Sequence, residues 1–420
     1  MAHRLKVLVI GAGTGGLCLA QGLTSGGVAV EVFERDGSPT GERQHGFRLS
    51  ISATGGAALR SCLPPNLYDR LVASSADPSK RVSFLDHRLN RLLAIDFLHD
   101  SRHDSDAERP IARTALRRIL LEGLDGVVRF GSKFIGFDRA ADGSVVAHFA
   151  DGTTATGDVL VGADGASSRL RSQRLPHAER VETGIMAISG KVELNDNNRA
   201  AIPRPILSGP TPILGPRGGF LFASAVQYRS LPPGTGMAPP GIDRDEYVMW
   251  GFSAHRSKFG SADLNRLGGE DLKAAVLSAM RDWHPSARQL VRMADAATVS
   301  AFAVKTSVPI PPWQTSNVTL LGDALHNMTP FRGIGANTAL RDAAALRAAL
   351  VAVDRGERDL IPALTSYEAD MIAYGFKAVR TSLADMERFH AERLPRLLTK
   401  AAFRAADWIP PLRAVFLAGR

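Results

Sequence analysis

The 420-residue chain is poor in the features that mark several common protein classes. It holds two cysteines, Cys18 and Cys62, with no CxxC spacing, so no cysteine-ligated metal site or redox pair can be written for it. Cys18 falls inside a helical pattern. No structural disulfide is therefore expected, and the chain reads as cytoplasmic. The histidines lack metal-ligand spacing, and no metal is expected. No apolar run approaches the roughly 20 residues a membrane span needs. The apolar stretch starting at Val7 ends in glycines instead of a cleavage-type segment, so neither a signal nor a transmembrane segment is expected. Repeats and low-complexity tracts are absent. Acidic charge is the minority, 42 Asp+Glu against 51 Lys+Arg. The cations are mostly arginine and are scattered instead of clustered. That distribution argues against a nucleic-acid partner and suits anionic cofactors or substrates.

What the chain does have begins at its start. Residues 5–10 (LKVLVI) form a short apolar run of the kind found in buried parallel strands. Gly11, Ala12, Gly13, Thr14, Gly15 and Gly16 follow as G-x-G-x-x-G, then an Ala/Leu-rich helical pattern over 17–23. A second strand over 28–33 ends in Glu34-Arg35. This is the full context of a dinucleotide fingerprint: a tight turn at Gly11, close approach of a pyrophosphate at Gly13, helix–strand packing at Gly16, and an acid for a ribose hydroxyl.

A second stretch lies late in the chain. A β-rich run over 318–321 breaks at Gly322-Asp323. His326 and then Pro330-Phe331-Arg332-Gly333-Ile334-Gly335-Ala336-Asn337 lead into a helical pattern running to about residue 353. A carboxylate, a glycine-rich crossing and a fresh helix N-terminus make a place to hold a ligand. The acid accepts from hydroxyls, and the helix start offers free N–H groups to an electron-rich edge. Glycines 333 and 335 let the backbone approach that ligand closely. Between these stretches, residues 113–120 form a helix pattern whose arginines lie mostly opposite its apolar face, where solvated charge is the simple reading. Residues 143–158 read as a hairpin turning at Asp151-Gly152. Residues 159–171 read as a strand, the Asp164-Gly165 turn and a polar helix start.

Taken together, these motifs resemble the single-component, class A FAD-dependent monooxygenases of the aromatic hydroxylase type. The family includes p-hydroxybenzoate hydroxylase and the tetracycline-inactivating monooxygenases. The resemblance rests on the fingerprint at 11–16, Glu34-Arg35, Arg113-x-x-Leu116, the segment Gly162-Ala163-Asp164-Gly165-x-x-Ser168-x-x-Arg171, Gly322-Asp323, and Pro330-x-x-Gly333-x-Gly335-x-Asn337. It implies that the fingerprint cradles the FAD pyrophosphate, that Glu34 and Arg35 hold the adenosine end, and that Arg113 reaches the cofactor. Asp164 would close beside the pyrophosphate, near where NAD(P)H binds transiently. Asp323 would bond the ribityl or pyrophosphate region, and residues 330–337 would line the flavin ring. The chain departs from the family's Gly-Asp-Ala-Ala-His-Pro at Leu325 and Asn327, and Phe331-Arg332 places a ring and a cation beside the expected flavin. Arg48, in His45-Gly46-Phe47-Arg48, is a candidate for contact with FAD or substrate. His45 reads as structural or solvent-facing.

The implied activity is NAD(P)H- and O2-dependent hydroxylation, or epoxidation, of a small aromatic or polycyclic molecule through a C4a-hydroperoxyflavin. A flavin-dependent reductase or halogenase of the same fold, and a flavoprotein that sequesters a small molecule, remain alternatives. The fold class is α/β with an α+β substrate region. A Rossmann-type FAD-binding domain (1–76, 107–173 and 312–353) is expected to interleave with a mixed-sheet substrate domain (77–106 and 174–311), followed by C-terminal helices (354–420). Strand-like segments at 220–228 and 247–253 offer Phe222, Ser224, Gln227, Met249, Trp250 and Phe252 as pocket candidates. Alternation buries half of them away from any pocket, and the pattern leaves open which half. With Arg48 and Arg332, Gln227 completes the candidates for direct contact with substrate; no activating base can be named. Two helices are expected after residue 362. The segment 410–420 is read as lying across the back of both domains, with a membrane-surface foot as its alternative. A monomer or weak homodimer is expected.

Overall fold

The computed structural model describes residues 4–39, 47–97, 108–228, 245–260 and 263–409. The readings of His45 and of the segment 410–420 fall outside them. The apolar run at the start of the chain becomes the strand Lys6–Ile10 at the centre of a five-stranded sheet. Its order is Val318–Leu320, Val159–Gly162, Lys6–Ile10, Ala29–Phe33 and Val128–Arg129, and every neighbouring pair is parallel. Val7, Leu8 and Val9 have no exposed surface, as strands covered on both faces require. The helices Thr14–Gly26 and Gly335–Asp354 pack on each other, so the fingerprint and the late glycine-rich crossing meet although they lie far apart in sequence.

A seven-stranded mixed sheet forms the second layer system. Its order is Ser300–Ser307, Arg180–Glu193, Tyr247–His255, Phe220–Val226, Thr211–Leu214, Arg81–Asp86 and Arg91–Asp96. One face carries Leu221, Ala223, Val248, Trp250 and Phe252 into a core shared with the helices Gly269–Ala279 and Pro285–Arg292. Period-two alternation then turns Phe220, Phe222, Ser224, Tyr247 and Met249 to the other face. Pairing of Arg48–Ile51 with Arg109–Ala112 makes a two-stranded ribbon between the two systems, and the Tyr247 hydroxyl donates to Phe47 O at 3.2 Å to tie ribbon to sheet.

The helix Leu360–His390 runs past both systems. Leu364, Tyr367, Met371 and Phe376 join the core of the parallel sheet, while Met386 and Phe389 join clusters on the large sheet. The helix Arg393–Trp408 then lies on the edge strand Arg91–Asp96 and reaches its neighbour Arg81–Asp86, with the Phe403 and Phe84 ring centroids 4.6 Å apart. Cys18 and Cys62 are buried free thiols that meet between their two helices. Among the described residues no helix is long and apolar enough to cross a membrane.

Candidate active site

At the C-terminal end of the central strand, Gly11 takes φ +107° and its N–H donates to Phe33 O at 2.8 Å. A Cβ there would stand 2.4 Å from Ala163 O, and one at Gly16 would stand 2.1 Å from Gly11 O. Both positions demand glycine for backbone contact. At Gly13, by contrast, a Cβ would find nothing nearer than Ala163 O at 4.0 Å, so that side of the loop is open. Gly13 is the N-cap of the helix Thr14–Gly26, which has no side-chain cap and no acid in its first turn. Its N–H groups and positive dipole end face that opening, with Ala12, Thr14 and Gly15 around them.

Two side chains close over this loop. Buried Glu34 accepts from Ala12 N at 2.7 Å and from Asp36 N at 3.0 Å. Arg35 is exposed, 4.0 Å from Asp36. Arg117 donates from Nη1 to Ala12 O and from Nε to Pro39 O (2.9 Å), while its Nη2 is buried with no partner among the described residues. Sequence reasoning passed over Arg117 as solvated charge. The available signal was its spacing: Arg117 follows Arg113 by one helical turn, so the two share a face.

On the other side of the loop, Asp164 accepts from Arg169 N at 2.8 Å through Oδ2, and its Oδ1 is buried without a partner among the described residues. Burial raises its pKa, against the pull of the Ser168 hydroxyl and nearby N–H groups. Arg171 holds this turn to the late motif by donating to Ala324 O at 2.9 Å.

The late motif is fixed from behind. Gly322, at φ +62°, donates its N–H to Asp342 Oδ2 at 2.7 Å; the same oxygen lies 2.7 Å from His326 Nε2, and Tyr374 OH donates to Oδ1 at 2.6 Å. Burial pulls the His326 pKa down, but the Asp342 charge and hydrogen bond outweigh it and the net shift is upward. This buried cluster turns Asp323 outward, where its charge is felt by Arg113 and Arg180; burial lowers the pKa of both guanidiniums and Asp323 opposes that. A side chain at Gly335 would come 3.9 Å from Asp323 Oδ1, so the carboxylate sits beside the start of the helix Gly335–Asp354. That helix has no side-chain cap, which leaves the first-turn N–H groups of Gly335, Ala336 and Asn337 for another acceptor. Pro330 opens the short turn before it and Gly333, at φ +65°, closes that turn.

Three candidate side chains are occupied elsewhere. Asn337 spends its amide on the ribbon, accepting from Ser52 N at 2.9 Å and donating to Ser50 O at 2.8 Å; only its backbone belongs to the helix start. Arg332 pairs with Asp385 at 2.8 Å. Gln227 accepts from Arg199 at 2.8 Å and donates to Leu207 O at 2.7 Å, so both ends of its amide are engaged. Its odd-numbered register places it with Leu221 and Ala223, on the face away from the ribbon. Trp250 and Phe252 point the same way.

The facing surface carries Phe222, Ser224 and Met249. Arg48 donates to Ser224 Oγ at 3.2 Å. Burial lowers its pKa, opposed by Glu108 and Tyr247. Phe331 meets Phe220 edge to face at 5.5 Å, extending an aromatic wall toward Phe389. Asn337 and Arg48 tie these parts together around one cleft. Its floor is the parallel sheet's carboxyl edge, and its roof is the sheet face of Phe222, Ser224 and Met249, with Arg48 of the ribbon and Lys191 over the Tyr247 ring as cations.

A fingerprint loop open at Gly13, an orphaned Arg117 donor, an orphaned Asp164 acceptor and an uncapped helix start in one cleft define a dinucleotide-binding flavoprotein fold. Comparisons with known proteins agree. Residues 111–382 match the family described as FAD binding domain. The dual O-methyltransferase/FAD-dependent monooxygenase CTB3 of Cercospora beticola is 31% identical over 88% of this chain and 44% of its own length. The chain thus spans less than half of that relative. FAD-dependent monooxygenase phnB of Penicillium herquei is 28% identical, with 91% of each covered. A crystal structure assigned to an FAD containing monooxygenase of Photorhabdus luminescens subsp. laumondii superposes with TM-score 0.82 at 32% identity, covering 92% of this chain and 99% of that one. The chain belongs to the class A, aromatic hydroxylase-type FAD-dependent monooxygenase family, and its cofactor is FAD.

Proposed function

We propose that the protein is an NAD(P)H- and O2-dependent monooxygenase that hydroxylates or epoxidises a small aromatic or polycyclic molecule. The observation that carries this reading is the uncapped start of the helix Gly335–Asp354, set beside Asp323 and preceded by Phe331, which packs on Phe220. FAD, when bound, supplies the redox and oxygen chemistry; the chain supplies orientation, a dry pocket and charge at the cofactor's edge.

In this reading the N–H groups of Gly13 to Gly16 take the pyrophosphate, with Arg117 Nη2 as a charged donor to it. Glu34 and Arg35 take the adenosine end. Asp323 accepts from the ribityl hydroxyls, with Arg113 and Asp164 near the phosphates. The N–H groups of Gly335 and Ala336 would hold the electron-rich pyrimidine edge of the isoalloxazine, where the helix dipole would stabilise negative charge. Phe222, Met249 and Phe331 exclude water and bury an aromatic substrate. Arg48, already desolvated, favours a phenolate over a phenol and so lowers the cost of its ionisation.

The test is direct. Purified protein is expected to show a two-banded yellow spectrum and to release FAD on heating, and substrate-dependent oxygen uptake with NADPH or NADH is expected over a panel of phenolic polycycles. Cofactor oxidation with no oxygen consumed would instead mark a reductase, and a colourless protein that FAD cannot reconstitute would remove the reading altogether.

A further inference from the structure

The helix Arg393–Trp408 is amphipathic in an unusual sense: the protein covers one side of it and leaves a second apolar side bare. Inward, Phe403 and Ala406 are buried, Asp407 accepts from Ala94 N at 3.0 Å, and Arg396 donates to Phe389 O, Gly215 O and Gly219 O. Outward, Leu394, Leu397 and Leu398 are 64%, 65% and 60% exposed and Trp408 is 85% exposed. Helical spacing puts these four, with Ala401 and Ala405, in one stripe about 100° wide. Such a stripe is the pattern of a buried surface, and no described residue buries it.

The charges bordering the stripe decide what can cover it. Lys400 and Arg404 run along its edge, and Arg91 stands on the strand beneath. The acids that accompany them, Asp86 and Asp407, lie under the cations with side chains only 9% exposed. Outward-facing charge at this border is therefore positive. A second copy seated on the stripe would bring two cationic borders together with little acid between them. An anionic lipid surface meets both requirements, taking the leucines into its acyl boundary and the cations at its headgroups, and an exposed tryptophan at the helix end suits the interface between the two.

We infer that Leu394, Leu397, Leu398 and Trp408 seat the protein on the surface of an anionic membrane, with the helix parallel to the bilayer. The helix is joined to the cleft by one aromatic cluster: Phe389 stacks on Phe220 at 4.9 Å, and Phe220 meets Phe331. Docking here leaves only this helix between the lipid and the aromatic cluster that reaches Phe331. The inference does not depend on the reaction catalysed.

It is tested by co-sedimentation of the holoprotein with vesicles of phosphatidylcholine alone or mixed with phosphatidylglycerol. Binding to the mixed vesicles, with a blue shift of tryptophan emission, is expected. Leu397→Glu/Leu398→Glu should lose at least tenfold in vesicle affinity while keeping its flavin spectrum and melting temperature. Lys400→Glu/Arg404→Glu should lose the preference for phosphatidylglycerol. Wild-type protein that stays in the supernatant with both vesicle types would overturn the inference. So would a wild-type dimer that Leu397→Glu/Leu398→Glu converts to monomer without any vesicle binding, since the stripe would then belong to a second copy.

Discussion

Arg117 shows how much a single side chain can carry. Its Nε and Nη1 are committed to the carbonyls of Pro39 and Ala12, which aims the remaining buried Nη2 without a partner of its own. A charged donor held this way and left unsatisfied is costly alone and strong once an anion arrives. Arg117→Ala should weaken FAD binding by about 10- to 100-fold, the range a charge-assisted hydrogen bond of ~1.5–3 kcal/mol allows. Free-FAD fluorescence during dialysis measures it. Gln227→Ala is the contrasting case. It removes the donor to Leu207 O and one acceptor for Arg199, whose pairing with Glu246 remains. A stability loss of about 1–2 kcal/mol is expected, with FAD affinity and substrate KM unchanged. A shift in KM would return Gln227 to the pocket.

At the level of elements, the strands and helices that punctuate strongly were legible in the sequence. The run at 5–10, the fingerprint, the Asp151-Gly152 hairpin and the helix after Gly335 all sit where their turn chemistry puts them. The roof was legible only by half. Alternation at 220–228 and 247–253 said that one set of side chains faces a pocket, but register against a neighbouring sheet is a long-range fact. Hence Ser224 could not be separated from Gln227, or Met249 from Trp250. Asn337 was half legible for another reason: a motif position says where a backbone goes, and its side chain was free to clamp the ribbon. The end of the long helix was invisible in the same way. His390 there takes a hydrogen bond from Ser253 at Nε2 (2.9 Å) and lies 2.8 Å from Met386 O through Nδ1. Burial first, then Arg396, drives its pKa down to about 4 against those hydrogen bonds. The folded state thus keeps His390 neutral while an unfolded histidine protonates near pH 6.5. Stability from this contact is full above about pH 6.5 and falls as pH drops toward 4, by about 3 kcal/mol at most, at about 1.4 kcal/mol per pH unit. Denaturant titrations of wild type and His390→Gln at pH 7 and pH 4.5 should differ in slope, the variant losing less. Parallel pH profiles would mean that the ring is already solvated in the fold.

The molecule as a whole is arranged so that its cofactor bridges segments far apart in sequence. Gly11–Gly16, the helix carrying Arg117, the Asp164 turn and the stretch from Gly322 to Ala336 all end at one cleft, and each presents donors or acceptors left unpaired among the described residues. Without a ligand those groups are a liability: two uncapped helix starts point their dipoles at each other's neighbourhood, and a buried carboxylate oxygen and a guanidinium nitrogen go unsatisfied. FAD resolves these together, so its binding should stabilise the entire fold rather than one loop. Linkage gives the size: about 2.7 kcal/mol when free FAD is 100 times its dissociation constant, which for a chain this long shifts the melting temperature by a few degrees. Scans of stripped protein against added FAD are expected to rise with the logarithm of its concentration. Both sheets should melt together, because the helix Leu360–His390 is built into the cores of each. Arg117→Ala should displace the curve to higher FAD, whereas Gln227→Ala should lower every melting temperature by a constant amount and leave the curve's position alone. If FAD left the stripped protein's melting temperature unchanged, the open loop at Gly13 and the bare start at Gly335 would have some other occupant.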